Sequence, residues 1–241
     1  NLRFTKWKEV WASKGFDATD EIISLQDLII ANGYHGPTAK FTEETWMQNS
    51  RMMSKYLQLN NAQSLLEVGC GSGALLNALN KINNLQISGV DYSESLIKLA
   101  RKASPEFDLR VSEANQLPFA DNIFSRTISQ GVFMYFPDEV YAEKVSEEML
   151  RVTKIGGAIS MIDVPDLETK EQSENFREQE AIKEGKDYLT NEESDYSHLY
   201  YPKDFFIDLF NKQDLEVEIT PQNLAGYGNS SFRYNVVVWK N

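Results

Sequence analysis

The sequence predicts an α/β domain built on a doubly wound, mostly parallel sheet with helices on both faces. Three observations carry that expectation. From residue 64 onward, short apolar runs alternate with amphipathic stretches, the pattern of strands joined by helical crossovers. A glycine-rich turn, Gly69-Cys70-Gly71-Ser72-Gly73, separates the first run from the stretch that follows it. The acid Asp91 closes the second run, and sheets of this winding bind ligands beyond the carboxyl ends of their strands.

Residues 1–58 read as a helical cap. Ile22, Ile23, Leu25, Leu28 and Ile29, then Trp46, Met47, Met52, Met53, Tyr56 and Leu57, recur at three- and four-residue spacing. Two glycines and a proline break the pattern at Asn32-Gly33-Tyr34-His35-Gly36-Pro37. Strands are expected at 64–68, 85–90, 107–111, 124–129 and 158–163. Helices are expected at 74–81, at 93–102 with Ser93 as N-cap, and at 137–152 before a Lys154-Ile155-Gly156-Gly157 turn. Two last strands, 215–220 and 232–239, pair as an antiparallel C-terminal hairpin and bring the sheet to seven. The body of the domain is then 59–241, and one core is expected for the whole chain. Residues 166–195 hold eleven acidic and four basic side chains, a net of −7. Such a run is ordinarily a solvated excursion; as part of an insertion over 165–200 it also reads as a lid over a substrate.

Composition narrows the function classes. With 41% apolar and 12% aromatic residues and a charged fraction of 25%, the chain has the makings of a globular core. Its formal charge of −12 opposes nucleic acid, whose binding draws on clustered Lys and Arg to neutralise phosphates. Cys70 is the only cysteine, which excludes a disulfide framework and a multi-cysteine metal site. No stretch approaches the roughly 20 apolar residues of a membrane helix, and the start lacks the apolar run of a signal peptide. A cytoplasmic protein, monomeric or homodimeric, with no membrane partner is expected.

Glycines in the 69–73 turn permit close backbone approach to a ligand. Gly69, Gly71 and Ala74 also satisfy a looser dinucleotide fingerprint, so a nicotinamide-dependent oxidoreductase competes at this point. Glu67 weighs against it, because a carboxylate two residues before the first glycine hinders a pyrophosphate and suits a cation. Over roughly residues 60–163 the chain resembles the class I S-adenosylmethionine-dependent methyltransferases, whose sheet is Rossmann-like. Glu67 to Gly73 is similar to the family's first motif, Asp91 to its ribose-binding acid, Leu117-Pro118-Phe119 to the segment before the fourth strand, and Gly156-Gly157 to the turn into the fifth. The resemblance implies S-adenosylmethionine as cofactor, S-adenosylhomocysteine as product, and a donor site of Glu67, Gly69, Cys70, Gly71, Gly73, Asp91, Tyr92 and Gln130. It also implies adenine contacts from Glu113 and Ala114, where Glu113 departs from the usual Asp.

Residues 129–136, Ser-Gln-Gly-Val-Phe-Met-Tyr-Phe, hold in this family the floor between donor and acceptor. Tyr135 is thus a candidate acceptor contact, beside Tyr34 and Tyr200. A hydroxyl acceptor must lose a proton, and His is the commonest general base. His198 is the favoured base, His35 the other, and Asp163 a carboxylate placed to orient a histidine. Asp163 and Asp166 alone are a poor metal set, and no metal is expected. The expected function is O-methylation of a small or carrier-tethered natural-product or sugar acceptor. N- or C-methylation of a metabolite and a non-catalytic S-adenosylmethionine-binding module are the alternatives.

Overall fold

A computed structural model describes residues 2–15, 23–191 and 193–241 of the chain. Ile22 of the N-terminal apolar pattern and Glu192 of the acidic run lie outside the described residues. Helices α1 (Leu2–Ala12), α2 (Leu25–Ala31) and α3 (Glu43–Tyr56) come first. Then β1 (Ser64–Val68), α4 (Ala74–Ile82), β2 (Gln86–Asp91), α5 (Glu94–Ala103) and β3 (Asp108–Val111) alternate. β4 (Phe124–Gln130), α6 (Glu139–Val152) and β5 (Thr153–Pro165) continue the series. α7 (Lys170–Lys183), α8 (Lys203–Asn211), β6 (Val217–Pro221) and β7 (Arg233–Trp239) complete it.

The strands form one sheet in the order β3-β2-β1-β4-β5-β7-β6. β1 to β5 pair in parallel, and β7 runs antiparallel to both β5 and β6. This is the doubly wound, Rossmann-like arrangement with an antiparallel terminal pair. The winding reverses between β1 and β4, which opens a crevice at their carboxyl ends. Alternate residues of each strand feed opposite layers: Leu65, Ile128 and Ile162 join the core under α3, α4 and α5, while Leu66, Val68, Ile159 and Met161 join the one under α6 and α8.

β5 is longer than the pattern predicts, thirteen residues in place of six. The Gly156-Gly157 turn lies inside it as an irregularity. Phe124 pairs with Thr153 and Arg126 with Ala158, so the extra β5 residues loop out where Gly156 takes φ +76°. Pairing with both β4 and β7 holds the strand together across that bulge.

The N-terminal helices fuse with the sheet. Ser24 and Asp27 make a reciprocal capping box that starts α2. Leu28 and Ile29, both essentially fully buried, pack with Trp46 and Met53 of α3 against Leu75, Leu76 and Leu79 of α4. Full burial of one such side chain is worth about 1.5–3 kcal/mol. Trp46 Nε1 donates to the Ala74 carbonyl at 3.2 Å, which fixes α3 at the start of α4. The middle of the acidic run folds as α7, and Arg177, Ser173 and Ala181 face inward from it. No helix among the described residues is long and apolar enough to cross a membrane.

Candidate active site

Between the end of β1 at Val68 and the start of α4 at Ala74, five residues reverse the chain above the sheet. Gly69 and Gly71 do so at φ +78° and +53°, a region costly to residues with a Cβ. Space enforces the same choice. A Cβ on Gly69 would lie 2.5 Å from Val132 Cγ2, and one on Gly71 would strike the Asn32 carboxamide. The Gly69 and Cys70 amides donate to the Val90 carbonyl at 2.8 and 2.9 Å, tying the turn to the end of β2. There the Gly71 amide donates to Asp91 Oδ2 at 2.8 Å and the Ser93 amide to Oδ1 at 2.9 Å. Each oxygen is thereby oriented, with a further lone pair for a ligand. Burial raises the Asp91 pKa to about 6, against the opposing pull of those two amides.

Glu67 lies beneath the turn at 3% exposure, and its Oε2 has no hydrogen-bond partner. Burial first, then the charge of Asp91, pushes its pKa well above the carboxylate range. An orphaned buried oxygen costs about 1–3 kcal/mol; a cationic group seated over the turn would relieve it.

A cleft of about 760 Å³, counted out to its open mouth, runs along this turn, inside the ~300–1,000 Å³ typical of small-molecule sites. Asp91, Tyr92, Ser112 and Ala114 line one end, and Gln130, Val132 and Tyr135 the other. Phe4, Trp7, Lys8 and Trp11 of α1 also line it. Hydroxyls from the start of α5 hold that helix in place by satisfying carbonyls at its open end: Ser93 Oγ donates to Trp11 at 3.1 Å and Ser95 Oγ to Ala12 at 2.8 Å.

Beyond Tyr135 lies a buried polar cluster. Asp163 is 2% exposed and takes φ +66°. Its Oδ1 accepts from Gln222 Nε2 and its Oδ2 from the Tyr227 hydroxyl, both at 2.9 Å, while Arg233 Nε stands 3.4 Å from Oδ1. Burial pushes the Asp163 pKa up, opposed by Arg233 and both hydrogen bonds. Gly131 threads between Tyr34 and Asp163: a Cβ there would lie 2.7 Å from the Tyr34 hydroxyl oxygen. The His198 ring sits 5.6 Å from Trp7 and 5.5 Å from Tyr135, with its Nε2 3.4 Å from Arg177 Nη2. Burial, then Arg177, Arg233 and Arg3, hold its pKa well below the ordinary imidazole value, so the ring is neutral near pH 7. Burial, then Asp163, pushes the Tyr135 phenol up to about 12.

A family model described as a methyltransferase domain matches residues 66–161, the segment that carries the turn, Asp91 and Gln130. Residues 66–161 thus form a methyltransferase domain. The chain's sequence is 31% identical over 110 residues to a demethylmenaquinone methyltransferase of Paenarthrobacter aurescens, covering 45% of this chain and 42% of that protein. It is 28% identical over 166 residues to the mouse protein named "Probable tRNA methyltransferase 9B", covering 67% of this chain and 34% of that one. The chain thus spans less than half the length of either curated relative. In fold it matches the plantazolicin methyltransferase BpumL, solved with a triazolic desmethylPZN analogue and S-adenosylhomocysteine, at a TM-score of 0.64 and 16% identity over 98% of this chain and 99% of that one.

In this methyltransferase domain Gly69, Gly71, Asp91, Tyr92, Ala114 and Gln130 line the cleft. Glu67, Cys70 and Gly73 belong to the same turn and its approach without lining it. Glu113 stands at the rim, paired with Lys8 and accepting from the Tyr141 hydroxyl at 3.1 Å. Tyr34 and Tyr135 line the cleft, and His198 and Asp163 gather behind Tyr135. Tyr200 is turned aside, its hydroxyl donating to Glu174 Oε1 at 2.5 Å. His35 is not brought in: the turn after α2 sends Tyr34 inward and leaves His35 exposed. Sequence reasoning missed the α1 wall, although Trp7 and Trp11 at four-residue spacing mark one helix face. It also missed Asn32, whose Oδ1 accepts from the Ser72 amide at 2.7 Å, and Arg177 and Arg233, which carry no local signal.

Proposed function

We propose that the chain transfers a methyl group from S-adenosylmethionine to an oxygen of a small acceptor, free or carrier-tethered, of the natural-product or sugar class. The observation that carries this reading is the cleft that runs from Asp91 and the glycine turn to Tyr135, whose ring packs 5.5 Å from that of His198. The residues present suit the cofactor. Asp91 offers two oriented oxygens to the ribose hydroxyls, the buried Glu67 carboxyl suits the charged amino-acid end, and Tyr92, Ser112 and Ala114 flank the adenine end. When bound, the cofactor supplies a methyl group on a sulfonium for in-line displacement. What remains for the chain is to align the nucleophile and exclude water, and Trp7, Trp11, Tyr135 and Phe136 wall the cleft with apolar surface.

The relatives raise two other acceptor classes. A tRNA acceptor finds little support in a net charge of −12, which lacks the cationic footprint that phosphate contacts need. A quinone-derived acceptor, methylated at carbon, is the second reading, favoured by the aromatic wall and by the demethylmenaquinone methyltransferase among the relatives. Calorimetry on the full chain comes first: S-adenosylhomocysteine is expected to bind and NAD to give no heat. Absence of heat with S-adenosylhomocysteine overturns the proposal. An acceptor screen read by mass spectrometry for the gain of one methyl group then separates an enzyme from a binding module, and NMR of the product places the methyl on oxygen, nitrogen or carbon.

A further inference from the structure

Behind Tyr135, several buried hydrogen-bonding groups stand without partners. Arg233 is 3% exposed, and its Nε and Nη1 are buried without a hydrogen-bond partner. The nearest anion, Asp163, already accepts from Tyr227 and Gln222. Arg177 is 8% exposed; it donates to Thr190 and lies 3.5 Å from Glu174, which also accepts from Tyr188 and Tyr200. Both carboxylates of the cluster are thus committed to neighbours.

His198 adds a further unpartnered donor. A guanidinium has only donors to offer, so the ring nitrogen facing Arg177 Nη2 at 3.4 Å must be the one without hydrogen. The proton then sits on Nδ1, a buried atom with no partner. In that tautomer His198 holds a buried donor without a partner and has no free lone pair with which to remove a proton. The groups that bear on its charge are Arg177, Arg233 and Arg3, with no carboxylate among them. This local excess of positive charge lies inside a protein whose net charge is −12. The orphaned Gln130 Oε1 and Gln222 Oε1 add acceptor capacity suited to a hydroxyl or amide on the same ligand.

We propose that the methyl acceptor is an organic anion whose oxyanion group, a carboxylate or a phosphate, is held by Arg233 and the Nδ1–H of His198. His198 is then a recognition donor in place of the general base. This rests on the methyltransferase reading of the cleft and names the substrate class for it. Anchoring the anion behind Tyr135 leaves the rest of the molecule to extend past that ring toward the donor. There an acceptor oxygen, its proton released to water at the open mouth of the cleft, forms the new bond to carbon as the carbon–sulfur bond breaks and its electron pair stays on sulfur.

The test uses the full chain, nitrogen-labelled and saturated with S-adenosylhomocysteine, whose binding is followed separately at the Gly69 and Gly71 amides. Long-range proton–nitrogen NMR at pH 7 is expected to show His198 protonated on Nδ1. Acetate and inorganic phosphate are then titrated against acetamide and chloride. Saturable shifts of the His198 Nδ1 and Arg233 Nε signals are expected with an oxyanion only, the tighter of the two naming the source, and Arg233→Lys is expected to weaken that binding about tenfold or more. A proton on Nε2, or oxyanions that act no differently from acetamide and chloride, overturns the inference while leaving the donor reading intact. Silence at Gly69 and Gly71 on adding S-adenosylhomocysteine would sink the donor reading instead. If Arg233→Lys does not fold, the wild-type signals decide.

Discussion

The two halves of the cleft are built by different means. The proposed donor half is local: residues 67–73 and 91 come from two adjacent strands and the turn between β1 and α4, and much of what they present is main chain. The acceptor half draws side chains from α2's end, the β4 exit, β5, α7, the loop before α8, and β7, with partners such as Asp163 and Arg233 70 positions apart. A backbone cradle tolerates almost any surroundings that keep its φ angles, whereas a side-chain cluster depends on every element that feeds it. Substitutions should therefore separate the halves: donor-half changes abolish cofactor binding with the acceptor cluster intact, and acceptor-half changes spare cofactor binding.

The largest effect is expected at Gly71. Valine there forces a Cβ into the Asn32 carboxamide at a positive φ, a conformation that costs a β-branched residue about 1–3 kcal/mol before any clash. Gly71→Val should lower S-adenosylhomocysteine affinity by more than about a hundredfold by calorimetry, with the far-ultraviolet dichroism unchanged. Retention of wild-type affinity would mean that the turn is not the cradle.

Asp91→Asn comes next. Loss of charge-assisted hydrogen bonds to the ribose, each worth about 1.5–3 kcal/mol, should weaken S-adenosylhomocysteine binding by roughly tenfold to a hundredfold. The pH profile sharpens this. With its pKa raised to about 6, Asp91 is mostly protonated at pH 5 and ionised at pH 7, so affinity should climb about tenfold over that interval and be flat in Asp91→Asn. The stability of the ligand-free chain has the opposite sign. Folded Asp91 holds its proton more tightly than the unfolded chain, whose value is 3.8. Its contribution is full below that value and is lost as pH rises through about 6. A thermal scan between pH 4 and pH 7 checks it.

His198→Phe keeps an aromatic ring between Trp7 and Tyr135. It should leave cofactor affinity within twofold or so while lowering turnover of an identified acceptor about tenfold to a hundredfold, in keeping with the loss of a hydrogen bond to a charged group. Loss of S-adenosylhomocysteine binding in this variant would erase the contrast between the halves.

The glycine turn and its flanking acids were legible in the sequence for the reason that makes them local. Glycine spacing, an acid two residues before it and another at the end of the next strand all report on neighbours along the chain. Strand alternation likewise yielded the parallel sheet, and the terminal pair followed from two late apolar runs. The length of β5 was hidden because Gly156-Gly157 reads as a turn, while pairing on both sides carries the strand through it. In the acceptor half, Tyr34 and His35 are adjacent in sequence and nothing in the pattern says which faces inward; the packing of Tyr34 against Phe41 and Trp46 at 5.4 and 5.0 Å decides it. Arg233 resembles any strand residue until β7 is laid antiparallel to β5, which brings Arg233 opposite Pro165 and close to Asp163.

The smallest expected effect tests how far the acceptor cluster is organised for a ligand and how far for the fold. Tyr227 donates to Asp163 Oδ2 at 2.9 Å and stacks on Phe41 at 5.7 Å. Tyr227→Phe keeps the stack and removes the hydroxyl. If the bond served the fold alone, a buried carboxylate oxygen would lose its partner and stability would fall by about 1–3 kcal/mol. With Arg233 3.4 Å from the other oxygen, the guanidinium can swing onto the freed lone pair and recover part of that loss, leaving a deficit of about 1 kcal/mol in urea unfolding. The same swing would draw Arg233 away from any anion it holds. Oxyanion affinity in Tyr227→Phe should therefore drop severalfold while S-adenosylhomocysteine affinity stays at the wild-type value. Unchanged oxyanion affinity would show that Arg233 is pinned by something other than its competition for Asp163.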